Sequence, residues 1–150
     1  MAAGLGNTEI TPDALGPAVA PGIFASRHIP KELTKAAGLD LLRQVSVITP
    51  GVLGQTGIEA GELIKAAAEK IKPAAVIVID ALAAQSGDRL FKTVQLCDTG
   101  ISPGSGVKNN RGEISEKTVG VPVIAIGVPT VIDADTLSER LTGISPEKKS

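Results

Sequence analysis

Residues Ala74-Ala75-Val76-Ile77-Val78-Ile79 form an unbroken apolar run, and Asp80 follows it directly. Four of the six side chains are β-branched, which favours extended backbone. A strand without polar alternation has to be covered on both faces, as in a parallel sheet flanked by helices. Pro73 parts this run from a helix predicted over residues 59–72. In that helix Leu63, Ile64, Ala67, Ala68 and Ile71 fall on one side, and Lys65, Glu69, Lys70 and Lys72 on the other. A second buried strand is predicted over residues 121–128, with Pro122 near its start, where a missing N–H is tolerated. Strands alternating with helical crossovers predict an α/β fold, a mostly parallel sheet with helices on both faces.

The remaining elements are shorter. Residues 45–49 predict a short strand leading into the glycine-rich loop Pro50-Gly51-Val52-Leu53-Gly54-Gln55-Thr56-Gly57. Residues 93–97 alternate and predict a strand at or near an edge. Residues 115–119 predict a short helix begun near Glu113, and residues 135–141 a last helix. Thr11-Pro12-Asp13 reads as a helix start, with Thr11 as cap and Pro12 at the first position. Pro17 and Pro21 keep the helix that follows short or kinked. Residues 31–43 are polar and mixed, and predict a loop or an exposed helix.

A chain of 150 residues, 43% hydrophobic and 21% charged, suits one soluble globular domain. We assign residues 1–144 to it and residues 145–150 to a polar tail. The net charge of −1 gives no electrostatic case for direct nucleic-acid or anionic-membrane binding. No apolar run approaches the ~20 residues that span a bilayer, and the first residues lack the pattern of a signal peptide. The single cysteine, Cys97, excludes an internal disulfide and fits a reducing cytoplasm; it reads as a small core residue at a strand end. Two Phe and no Tyr or Trp leave a core of Ile, Val, Leu and Ala and no stacking platform for bases. Only Met1-Ala2-Ala3 precede the Gly4-Leu5-Gly6 turn, where a buried strand is normal. The chain is therefore expected to be shortened at both ends, with a strand missing from the sheet.

Asp80 stands where open α/β sheets place their chemistry, at the carboxyl edge of a strand. Asp13 occupies another turn on the same side. Taken singly, each reads as a capping residue. Taken together, they form a candidate catalytic pair that could share a proton, hold a water or bind a metal. Asp98, at the end of a third candidate strand, could join them, although Asp98-Thr99-Gly100 also fits a plain Asx-turn. Gly104-Ser105-Gly106 with Lys108 and Arg111 could cradle an anion, but lacks the phosphate-loop pattern; a mobile substrate-facing or subunit-contacting loop fits better. Gly4-x-Gly6 lacks the third glycine of a dinucleotide fingerprint, Glu9 standing in its place. His28 is the one histidine, so cysteine–histidine metal clusters are excluded by count.

Longer blocks carry a resemblance. Gly4-Leu5-Gly6-Asn7, Thr11-Pro12-Asp13-Ala14-Leu15-Gly16-Pro17, Arg27-His28 and Pro50-Gly51-Val52-Leu53-Gly54-Gln55-Thr56-Gly57-Ile58-Glu59 appear in order. Ile79-Asp80-Ala81-Leu82-Ala83-Ala84, Asp98-Thr99-Gly100-Ile101, Pro103-Gly104-Ser105-Gly106, Glu113-Ile114-Ser115 and the stretch Gly120 to Val131 follow. The chain resembles the germination proteases of spore-forming bacteria. That resemblance implies a phosphorylase/hydrolase-like fold similar to the hydrogenase-maturation proteases. It also implies an atypical aspartic-type endopeptidase, made as a zymogen, tetrameric, and acting on small acid-soluble spore proteins in the cytoplasm of the forespore and spore core. It marks the positions of Asp13 and Asp80 as the catalytic candidates.

Several mechanisms follow from these residues. One aspartate would be ionised and activate a water, while the other, protonated, would donate to the scissile carbonyl. N–H groups in residues 51–57 or 104–106, with Gly57, Gly104 and Ser105 among them, could stabilise the oxyanion. No cofactor is firmly implied. In a metal-dependent variant Asp13, Asp80 and one of His28, Glu59 or Asp98 would hold a divalent ion. A non-catalytic binding or assembly module is the alternative.

Overall fold

A computed structural model describes residues 1–103, 112–132 and 134–142. Five strands form one sheet in the order β2-β1-β3-β5-β4. They are β1 (Ala2–Gly4), β2 (Val47–Ile48), β3 (Val76–Ala84), β4 (Gln95–Cys97) and β5 (Val123–Ile132). Every pairing is parallel except that of β4 with β5. The helices are α1 (Leu15–Val19), α2 (Lys31–Ala36), α3 (Leu53–Thr56), α4 (Ala60–Ile71), α5 (Glu116–Val119) and α6 (Ala134–Thr142). Short 3-10 turns at Thr11–Asp13 and Ala20–Gly22 bracket α1. The α/β architecture is the expected one. Among the described residues no helix is long and apolar enough to cross a membrane.

The predicted missing strand is supplied by Ala2–Gly4, which lies inside the sheet, between β2 and β3. Three small residues suffice because their burial comes from neighbours on both sides, not from their own apolar mass. Val76, Val78 and Val123 project from one face with Ala3 and pack under Ile64 and Ala68 of α4 and Val119 of α5. Leu63, Ala67 and Ile71, the flanks of the predicted helix face, are half-buried.

The opposite face is built on close backbone approach. A Cβ on Gly4 would collide with the Gly16 carbonyl, and one on Gly16 with the backbones of Leu5 and Ile79. Glycine at both positions lets α1 sit directly on β1 and β3. Further along this face Ile77 and Ile124, paired across β3 and β5, remain 38% and 41% exposed. The full two-sided cover expected of the apolar run is thus met on the α4 side and only partly on the other.

Candidate active site

Asp80 is part of β3 and does not follow it: the strand runs five residues past Ile79 to Ala84. Its partner across the sheet is Gly127 of β5, and a register shift falls between Leu82 and Ala83. By strand alternation Asp80 shares the face of Val76 and Val78, the side covered by α4. The residue is 4% exposed. Its Oδ1 accepts the N–H of Ala81 at 2.9 Å.

Asp13 closes the 3-10 turn Thr11–Asp13, with Pro12 in its first turn; Ile10, not Thr11, holds the cap position. Two N–H···O bonds fasten it to the preceding loop. The Asn7 N–H donates to Asp13 Oδ2 at 2.9 Å and to the Asp13 carbonyl at 3.1 Å. Gly6, at φ +119°, turns the chain so that this is possible, and a Cβ there would strike the Asp13 carbonyl. From the other side Thr130 Oγ1 of β5 donates to the carbonyl of Pro12.

Both aspartates line one cavity of about 380 Å³. Gly6, Gly51, Val52, Ala60 and Thr130 contribute to its wall, so the turn after β1, the loop after β2, the head of α4 and the end of β5 converge there. The wall is apolar apart from the carboxylates and a few hydroxyl and backbone groups. Charge and hydrogen bonding are strengthened in such surroundings.

The other candidates lie elsewhere. His28 is exposed, between the Ala20–Gly22 turn and α2, and does not line the cavity. Asp98 is exposed too. Because β4 runs antiparallel, its end at Cys97 pairs with Ala125 and carries Asp98 away from the Asp80–Gly127 level. Glu59 is the cap residue of α4, beside the wall but not in it. Gly57 is the exposed left-handed cap of α3 at φ 70°. Gly104 and Ser105 lie outside the described residues. No group of three His, Cys, Asp or Glu side chains suited to a metal occurs among the described residues.

Cys97 corrects the core assignment: it is fully exposed on an edge strand whose three residues all face solvent. Its Sγ lies 2.9 Å from Thr99 Oγ1. That hydrogen bond, with further help from backbone N–H groups of Thr99 and Gly100, holds the thiol below its ordinary range. Sequence reasoning also missed Thr130 and Gln55 as parts of the site's frame. Both are polar residues beside apolar or glycine-rich segments, but their partners are 118 and 48 residues away.

Known proteins resemble this chain in sequence and in fold. A family model described as germination protease matches residues 1–142. The chain is 51% identical over 138 residues to a germination protease of Clostridium perfringens (strain SM101), covering 92% of this chain and 42% of that one. It is 54% identical over 142 residues to one from Clostridium tetani, with 92% and 42% covered. For Bacillus cytotoxicus the figures are 54% over 135 residues, with 90% and 36% covered. The chain thus spans about two-fifths of the length of these curated relatives. Among solved structures, a NiFe hydrogenase maturation protease, HycI, from Thermococcus kodakarensis KOD1 superposes with a TM-score of 0.50 at 19% identity. The superposition covers 93% of this chain and 82% of that one, and shares the fold. With the family matched over nearly its whole length, this chain belongs to the germination protease family.

Proposed function

We propose that the chain carries the catalytic carboxylates of a spore-germination endopeptidase whose substrates are small acid-soluble spore proteins. The observation that supports this reading is the meeting of Asp13 and Asp80 in one apolar-walled cavity. Asp13, the more exposed member, takes a proton from the attacking water. Asp80, buried, donates its proton to the carbonyl oxygen as the hydroxide adds. The resulting gem-diol returns a proton to Asp80. Asp13 hands the water's proton to the leaving amine, and both groups are restored. Gly51 lines the same cavity, and its backbone N–H is the candidate to steady the developing oxyanion. The site belongs to the cytoplasm of the spore.

The test is incubation with a small acid-soluble spore protein and inspection for discrete fragments. Asp13→Asn and Asp80→Asn should each lower kcat by at least about 1,000-fold, in the range found when members of a catalytic unit are removed. Retained activity in both variants sinks the mechanism. Binding without cleavage by the unmodified chain favours a binding or assembly module. Loss of activity after dialysis against a strong chelator would instead support the metal-dependent route.

A further inference from the structure

Asn7 joins two parts of the cavity. Its Oδ1 accepts the Glu9 N–H at 2.9 Å and Gln55 Nε2 at 2.8 Å. A backbone N–H can only donate, so the Asn7 atom is the oxygen and the Gln55 atom facing it is the amide nitrogen. The Gln55 oxygen in turn faces the Val52 N–H at 3.4 Å. Gln55 therefore reaches from the loop whose Gly51 and Val52 line the cavity to the turn that holds Asp13. Beyond Asn7 the chain of bonds continues, because the Asn7 N–H ends on Asp13 Oδ2.

We propose that Gln55 is a positioning residue for Asp13, acting through Asn7, and so sets the carboxylate's orientation toward the cavity. It does not touch the reacting atoms. The proposal rests on Asp13 being catalytic, as inferred above. Gln55 is exposed and supports no apolar core, so its removal takes from the fold, besides the Asn7 bond, only its bond to the Val52 N–H at the head of α3. Gln55→Leu deletes the donor. Gln55→Glu sets an acceptor against the Asn7 oxygen at nearly unchanged shape.

The experiment makes three kinds of measurement on the unmodified chain and both variants. They are kcat and KM on a small acid-soluble spore protein, the thermal midpoint, and the pH response of the Asn7 amide in 1H–15N NMR spectra, with Asp13→Asn as the reference for a lost response. Expected is a fall in kcat of about 100-fold, the scale of a catalytic group displaced by about 1 Å. KM and thermal midpoint should be little changed, and the Asn7 response should fall toward that of Asp13→Asn. Variants that keep kcat and the Asn7 response overturn the positioning role while leaving the peptidase reading intact. If the unmodified chain does not cleave but the Asn7 response is lost on substitution, positioning stands and the peptidase reading fails.

Discussion

Asp13 and Asp80 reach one cavity on two different kinds of scaffold. Asp80 rides on a nine-residue strand paired on both sides, and its position follows from the sheet register and the core beneath it. Asp13 rides on a three-residue turn with no buried residue, and its position follows from individual hydrogen bonds to Asn7 and Thr130. The first is held by many small, non-directional contacts. The second is held by a few directional ones, each of which matters. Carboxylates held in these two ways should fail differently, one with the whole domain and the other alone.

The largest effect is expected beneath Asp80. Ile64 is fully buried against the β3 face. Ile64→Ala should cost about 2–5 kcal/mol of unfolding free energy by urea denaturation, through lost burial and a cavity. If only the β3 end loosens while the global transition stays put, the strand is less bound to the core than described. A smaller effect is expected at the turn. Thr130→Val removes the donor to the Pro12 carbonyl and should cost about 1 kcal/mol. Amide exchange should accelerate in residues 10–14 and stay unchanged in β3; equal acceleration in both would erase the contrast.

The smallest effect lies on β4, where neither scaffold acts. The Thr99 hydroxyl stabilises the Cys97 thiolate, so alkylation by iodoacetamide should reach half its limiting rate at a lower pH than for an ordinary exposed thiol. Thr99→Val removes the leading cause of that shift. The alkylation midpoint should rise, with the thermal midpoint unmoved. An unchanged pH dependence would mean that the hydroxyl does not steer the sulfur.

The difference in scaffolds also explains what could be read from the sequence. The runs at residues 74–79 and 121–128 and the amphipathic helix at residues 59–72 announced themselves, because dense burial leaves a periodic trace. Ala2–Gly4 left none, since three small residues have no period, and its burial is conferred by β2 and β3. The continuation of β3 through Asp80 was hidden by the charge itself, which reads as a strand's end. Asp98 was misplaced because strand direction is decided by the whole sheet and not by the segment. Asp13 and Asp80 could be nominated from their turns and from resemblance. The bonds that aim Asp13 could not, since hydrogen bonds between distant polar residues leave no local signature.

The bond between Thr130 and Pro12 has a consequence in time. The partners are separated by 118 residues. At the ~5–20 residues per second of bacterial-scale synthesis, the donor is made on the order of ten seconds after the acceptor. The Asp13 turn can bind Asn7 early, but its clamp to the sheet must wait for β5. Long-range closures of this kind also slow refolding of an intact chain. The cavity is therefore among the last features to take shape, and Asp13 reaches its final place beside the sheet only once most of this region has left the ribosome.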